Sequence, residues 1–245
     1  MQANRTVEEH KRTVITTTHL PAPISDRSSP QTGAIQQPIW LSGVHQSVTS
    51  RRKRLIDIVG ALVGLLITGL IFLPLAAAIW LDSPGPILYS QIRCGLNGKP
   101  FRIWKFRSMV VDAEQCKHLV KNEAQGNIFK NSNDPRITRV GNVLRRTSVD
   151  ELPQFWNVLW GEMSLVGTRP PTQDEVENYS TYHMKRLWVK PGITGEWQAN
   201  GRSHVKDFED IVEMDLNYQT KWSIRYDIEL IVKTITAVLN KSGAC

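Results

Sequence analysis

From Leu55 to Leu81 the chain is apolar or small at every position except Asp57 and Thr68. As one helix such a run is long enough to cross roughly 30 Å of hydrocarbon. Pro74 falls inside it, where it removes a backbone donor and crowds the preceding turn, and this predicts a bend. A helix stop and turn follow at Asp82-Ser83-Pro84-Gly85-Pro86. The short alternating stretches Ile87-Leu88-Tyr89 and Lys99 to Arg107, joined through Gly95-Leu96-Asn97-Gly98, predict a β-hairpin with Asn97-Gly98 as its turn. Residues 111–122 pattern as a helix, Asn133-Asp134-Pro135-Arg136 as a loop, and Val140 to Arg146 as a further helix. Another helix opens at Asp150-Glu151, with Ser148 as its cap and Pro153 in its first turn. Phe155 to Trp160 carries more aromatic and aliphatic surface than a water-facing helix does, which suits either the headgroup region of a bilayer or the core. At helical spacing, Ile228, Ile231, Val232, Ile235, Val238 and Leu239 predict a last helix with a core or membrane contact.

Residues 1–50 contrast with all of this. They are rich in Thr, Ser, Gln and Pro and show no sustained apolar period, so they read as a disordered cytoplasmic tail in which only Ile39-Trp40-Leu41 is a candidate ordered piece. The expected organisation is therefore a tail (1–50), a membrane helix (51–82) and a catalytic domain (83–245). The fold class is α+β, mainly α, with a β-hairpin and amphipathic interfacial helices.

Charge refines the membrane reading. The chain of 245 residues carries a formal +7, and residues 1–54 hold eight Lys and Arg against three Asp and Glu. Arg51, Arg52, Lys53 and Arg54 sit directly before the apolar run, where cytoplasmic cations meet anionic lipid. Basic residues also follow the run: Arg93, Lys99, Arg102, Lys105 and Arg107. One crossing cannot keep both flanks on the cytoplasmic side, whereas a re-entrant helix-break-helix that turns at Pro74 can. The basic cluster is not interleaved with aromatics, so nucleic acid is not an expected partner.

Candidate chemistry centres on Asp150-Glu151, set in Arg145-Arg146-Thr147-Ser148-Val149-Asp150-Glu151-Leu152-Pro153-Gln154. A carboxylate can attack phosphorus, and a neighbouring one can hold Mg²⁺ or steer a proton. Adjacent acids near arginines are more often a solvated helix face, and the surrounding sequence has to overturn that reading. A helix start supports it, because free N–H groups and the helix dipole favour a phosphate there. Gly95 to Lys99 lacks the spacing of a P-loop. Cys94, Cys116 and Cys245 form no CxxC pair, which points away from zinc and disulfides and toward a reducing compartment. Gly167-Thr168-Arg169-Pro170-Pro171 and Pro191 to Arg202 are loops able to present donors and planar groups to a nucleotide.

A series of strings in order resembles the bacterial sugar transferase family, the monotopic phosphoglycosyl transferases. They are Lys53-Arg54-Leu55-Ile56-Asp57, Ser83-Pro84-Gly85-Pro86, Lys105-Phe106-Arg107-Ser108-Met109, Asp134-Pro135-Arg136, Leu144 to Gln154, Asn157-Val158-Leu159, Met163 to Gly167, Arg169-Pro170, Pro191 to Gly195 and Gly201-Arg202-Ser203. The resemblance runs from about Lys53 to Leu239. It implies transfer of a sugar 1-phosphate from a UDP-sugar to undecaprenyl phosphate, with release of UMP, a covalent enzyme intermediate and Mg²⁺. It also implies the cytoplasmic face of a bacterial inner membrane, in exopolysaccharide, capsule or O-antigen assembly. Asp150 matches the family's nucleophile and Glu151 its metal-side partner. Lys105, Arg107, Arg145 and Arg169 match basic positions that hold phosphates, and Asp215 matches an acid of the same site. Two positions depart from the pattern: Leu73 stands before Pro74 where many members have Ser, and Thr168 stands where Pro precedes Arg-Pro. The long multi-span N-terminal region of larger relatives is absent, so a minimal form is expected. The transferred sugar and the oligomeric state are not encoded in any motif. A non-catalytic membrane scaffold for glycan-assembly enzymes is the rival reading, and a metal-only hydrolase lacks its HExxH or acid-rich signature.

Overall fold

The computed structural model describes residues 44–129, 131, 133–200, 205 and 207–239. The tail at 1–43 with Ile39-Trp40-Leu41, the Gly201-Arg202-Ser203 string and Cys245 lie outside the described residues. A short helical turn, α1 (Gln46–Thr49), occupies positions whose composition grouped them with the tail. The long helix α2 (Arg51–Asp82) follows, with the Ser50 side chain accepting from the Lys53 N–H as its cap.

Although α2 is apolar nearly all round, it buries one face only. Lys53, Asp57, Ala61, Gly64, Thr68 and Ile79 are buried, with Phe72 and Leu75 packed part-buried between them, and this stripe keeps helical spacing along the helix. The two polar positions inside the apolar run both fall on the packed face: Asp57 Oδ1 accepts from Ser164 Oγ at 2.8 Å and the Leu165 N–H at 3.0 Å. Thr68 Oγ1 donates back to the Gly64 carbonyl at 2.7 Å. Leu62, Val63, Leu66, Leu70, Leu73 and Leu81 stay exposed on the other faces. Pro74 lies within a single helix from Arg51 to Asp82, so the break expected from it is not resolved as two helices.

Both ends of α2 are fastened to the same body. At its start, Lys53 Nζ is 2.7 Å from Asp227 Oδ2 and also donates to the Val166 carbonyl and Tyr218 OH, all buried. At its end, Asp82 Oδ2 accepts the Val140 N–H at 2.9 Å, and Arg107 donates to the Ser83 carbonyl. Along its middle Gly64 lies under the Phe155 ring, where any Cβ would overlap the ring atoms.

The hairpin forms as its pattern predicts. Strands β1 (Leu88–Cys94) and β2 (Pro100–Phe106) pair antiparallel from Leu88↔Phe106 to Cys94↔Pro100, and Asn97 and Gly98 take positive φ in the turn. Facing pairs alternate sides, so Tyr89 and Lys105 share one face while Leu88, Phe106, Ser90 and Trp104 share the other. Residues 111–122 do not form the expected α-helix. They are a series of turns with one 3-10 segment, Lys117–Leu119, and Asp112 at φ 62° is incompatible with continuous helix.

Helix α3 (Arg139–Arg146) is capped by Thr138, whose Oγ1 accepts the Gly141 N–H. A 3-10 segment, Val149–Gln154, carries the two adjacent acids and leads into α4 (Phe155–Trp160). Within α4, Asn157 and Val158 are buried, while Trp156 and Trp160, one turn apart, face outward. Short strands β3 (Ser164–Val166) and β4 (Gly192–Thr194) then pair in parallel across α5 (Gln173–Glu177) and the 3-10 segment His183–Trp188. Helices α6 (Glu196–Asn200), α7 (Phe208–Lys221) and α8 (Ile224–Leu239) complete the body. Fold class thus agrees at the level of a mainly helical chain with one membrane-length apolar helix and a small hairpin.

Candidate active site

The acids open a tight segment because Ser148, in the left-handed region at φ 55°, reverses the chain after α3. Pro153 lies inside that segment, near its end, where it removes one backbone donor. Asp150 is buried and Glu151 half-buried. The strand β2 brings Lys105 alongside, with Nζ 2.8 Å from Glu151 Oε1. From α3 comes Arg145, whose Nε donates to Ser108 Oγ at 2.9 Å. Burial pushes the Arg145 guanidinium below its ordinary pKa, and the charges of Asp150, then Asp134, offset part of that. Behind it Asp134 and Arg136 form a buried fork, with Arg136 Nη2 at 2.6 Å from Asp134 Oδ2 and Nη1 on the Ala113 carbonyl. Hydrogen bonds from Arg136 hold the Asp134 carboxyl below the usual carboxylate range. Two carboxylates and two cations therefore meet on three elements, an arrangement suited to a negatively charged, phosphorus-centred reaction.

An apolar cavity of about 310 Å³ adjoins this turn, lined by Leu65, Thr68, Phe72, Leu88, Trp104, Phe106, Pro153 and Trp156. Pro153 belongs to the turn that carries the acids, and three of the lining residues belong to α2. The hairpin therefore presents Lys105 beside the acids on one face, which also carries the buried Ile103 and Phe101, and turns Leu88, Trp104 and Phe106 of the other face toward the apolar cavity.

Not every residue singled out in the sequence joins this group. Arg107 follows β2 directly but turns toward the end of α2, where it donates to the Ser83 carbonyl, and its buried Nε and Nη1 have no partner among the described residues. Arg169 and Asp215 fall in a second, closed cluster. Arg169 Nη1 lies 3.0 Å from Glu175 Oε2, and although burial pulls its pKa down, the Glu175 charge and hydrogen bond together with the nearby Tyr179 and Asp215 raise it above the ordinary value. Asp215 Oδ2 accepts from Arg186 Nε at 2.8 Å, and both side chains are almost wholly buried. Burial pushes the Asp215 carboxyl up against the opposing pull of Arg186. The Arg186 guanidinium also lies over the Tyr179 and Phe208 rings. Arg93, buried beside Arg169 and bonded to Gln91 and the Pro170 carbonyl, falls to about 10, first through burial and then through the Arg169 charge.

Arg93, Glu175 and Arg186 carry this second cluster without having been assigned to it from sequence. Thr172-Gln173-Asp174-Glu175 is a legible capping box, and it forms, which would have placed Glu175 at a helix start. Arg186 has no such local signal. The segment Pro191 to Gly195, read as a nucleotide-presenting loop, is largely buried, and Gly192 lies so close to the Gly167 backbone that a side chain would not fit.

A family profile described as "Bacterial sugar transferase" matches residues 48–241. The chain is 53% identical over 194 residues to the galactosyl transferase CpsE of Streptococcus agalactiae serotype III (strain NEM316), covering 78% of this chain and 43% of that protein. It is 44% identical over 202 residues to the UDP-glucose:undecaprenyl-phosphate glucose-1-phosphate transferase of Escherichia coli (strain K12), covering 80% of this chain and 41% of that protein. Over 209 residues it is 36% identical to the exopolysaccharide production protein ExoY of Rhizobium meliloti (strain 1021), covering 83% of this chain and 92% of that protein. The chain thus spans about two fifths of the length of the first two relatives and nearly all of the third.

Proposed function

Because the chain belongs to the bacterial sugar transferase family, we propose that it transfers a sugar 1-phosphate from a UDP-sugar to undecaprenyl phosphate and releases UMP. The sugar is a hexose such as galactose or glucose, in keeping with the names of two relatives. The reaction is the first membrane step of exopolysaccharide, capsule or O-antigen assembly, at the cytoplasmic face of the inner membrane.

Asp150 is the nucleophile. Its carboxylate oxygen attacks the sugar-bearing phosphorus, a P–O bond forms, the bridging P–O bond breaks, and the electron pair leaves on UMP. The acceptor's phosphate oxygen then attacks the same phosphorus and returns Asp150 to a carboxylate. Lys105 and Arg145 neutralise charge growing on the leaving phosphate. The carboxylate set fits Mg²⁺, which takes one or two carboxylates and completes its shell with water and substrate phosphate. Glu151 would hold it, and the ion would supply further charge neutralisation at the diphosphate.

The observation that carries this reading is the shared wall: the turn bearing Asp150 and Glu151 also contributes Pro153 to an apolar cavity bounded by α2. A lipid phosphate needs its reactive end in a polar cluster and its tail in hydrocarbon, and this juxtaposition accommodates both. That both ends of α2 are bonded to one body supports a helix that dips into the leaflet, bends at Pro74 and returns, since a straight crossing would put those ends on opposite sides.

The purified chain, given UDP-sugar and Mg²⁺ without lipid acceptor, is expected to release UMP in a burst of about one equivalent per enzyme. Absence of any acceptor-independent UMP would remove the covalent step. Labelling of cysteines placed at both flanks of α2 from one side of sealed vesicles is expected to modify both. Protection of one flank would exclude the returning path.

A further inference from the structure

The last residue of α2 is tied to the helix that carries Arg145. Asp82 Oδ2 accepts the Val140 N–H at 2.9 Å, a bond between positions 58 apart in the chain. Val140 is the second residue of α3, so its N–H is one of the donors that the helix cannot satisfy internally. Thr138 Oγ1 takes the next of them, from Gly141, at 3.0 Å. The first turn of α3 is thus capped twice, once locally and once by the end of the membrane-length helix. A carboxylate suits that place, because the helix dipole adds to the hydrogen bond.

The far end of α3 works at the acids. Arg145 lies in its last turn and donates from Nε to Ser108 Oγ at 2.9 Å, and Asp150 is the charge that acts on it most strongly. Ser108 also seats the start of the helix. Its carbonyl accepts the Thr138 N–H at 3.2 Å, and a side chain at Gly141 would overlap that carbonyl. Apolar packing completes the seat: Leu144 is buried in one cluster with Ile79 of α2 and Phe106 of β2, with Val140 and Val149 packed against it. The five steps from Val140 to Arg145 cover roughly 8 Å of helix, so a change of tilt at the Asp82 end reappears at the guanidinium.

We propose that Asp82 is a positioning residue for the transfer: it holds α3 against the end of α2, and through α3 it sets where the Arg145 guanidinium stands relative to Asp150. This rests on the reading of Asp150 as nucleophile and Arg145 as a cation at the leaving phosphate. A displaced guanidinium stabilises the transition state less while the UDP-sugar still binds, so the loss falls on kcat. Thr138, Ser108 and the apolar cluster stay in place without the carboxylate, and they keep α3 folded.

The test measures kcat and KM with the full chain in lipid nanodiscs containing undecaprenyl phosphate and Mg²⁺, using UDP-galactose or UDP-glucose, whichever the wild type turns over. Asp82→Ala is expected to lower kcat about tenfold with KM changed by less than about twofold. Asp82→Asn, which keeps an oxygen acceptor, is expected to recover at least about half of that loss. Asp82→Ala is then combined with Arg145→Gln. A residue acting through Arg145 costs less than about twofold once the guanidinium is gone, whereas one that only supports the fold costs the same factor in both backgrounds. Wild-type kcat in Asp82→Ala, a loss confined to KM, no recovery in Asp82→Asn, or equal factors in both backgrounds would each overturn the proposal. If Asp82→Ala does not fold, Asp82→Ser, one atom shorter in reach, takes its place with the same expected losses. A wild type without transferase activity would sink the proposed function itself, while an active wild type indifferent to Asp82 would sink this inference alone.

Discussion

Two clusters of acids and arginines lie in this molecule, and they are built to opposite ends. Around Asp150 and Glu151 the cations approach from separate elements, Lys105 from β2 and Arg145 from α3, and the Lys105–Glu151 pair stays partly open to solvent. Around Asp215 and Glu175 two arginines are each matched to one acid, Arg186–Asp215 almost wholly buried and Arg169–Glu175 partly so, and the Arg186 guanidinium also lies against the Tyr179 and Phe208 rings. Charges that can still meet a ligand are suited to chemistry, whereas charges already satisfied by one another hold a shape. Motif membership does not separate these two conditions, because Arg169 and Asp215 sit in strings as family-like as those around Asp150.

The sharpest way to break the contrast is to remove one charge from each cluster. Asp150→Asn is expected to lower turnover by at least about 10³-fold with an unchanged melting temperature, because a neutral amide is a poor nucleophile. A variant that kept full turnover would end the comparison. Arg186→Leu is expected to cost about 3–5 kcal/mol of stability in denaturant titration, since it strands Asp215 as a buried charge without its partner. A loss of activity without that loss of stability would move Asp215 into the substrate site. For Lys105→Gln the expected pattern is intermediate: about tenfold or more slower turnover, read as kcat/KM, with stability changed by less than about 1 kcal/mol because the pair is partly exposed.

The smallest effect concerns pH. Burial pushes the Glu175 carboxyl up, but the Arg169 charge and hydrogen bonds from Arg169 and the Thr172 N–H outweigh it, so the group sits below its ordinary value of 4.5. A depressed acid contributes stability that is present above its unfolded pKa and is lost as pH falls through the folded one. The wild type should therefore melt at progressively lower temperature as pH drops below about 4.5, and Glu175→Gln should show a shallower decline over that interval. Parallel acid profiles would mean the Arg169 pair contributes nothing.

Much of the frame was legible because its signals are local. An apolar run of helical length and an Asn-Gly turn between alternating strands each specify an element from a few neighbours, and α2 and the β1–β2 hairpin formed, whereas the helix expected to open at Asp150 under a Ser148 cap is a 3-10 segment in which the Ser148 side chain makes no cap bond. Residues 111–122 misled because their local pattern suits a helix, whereas Arg136, from a later segment, holds the Ala113 carbonyl and the chain turns at Asp112. Strands β3 and β4 span three residues each and are paired across more than twenty intervening positions, too short for any alternation to show. The dyad and its Lys105 and Arg145 partners were found together, while the Arg169 and Asp215 pairs depend on Glu175 and Arg186, contacts made only by the tertiary fold.

The bond between Lys53 and Asp227 joins positions 174 residues apart. At roughly 5–20 residues per second, about 10–35 s of synthesis separates the two. For that interval the lysine at the mouth of the hydrophobic segment has no counter-ion, so the segment meets the lipid before the rest of the molecule can close over its base. Biogenesis would then proceed in a fixed sequence, insertion first and closure last, with the final helix acting as the latch.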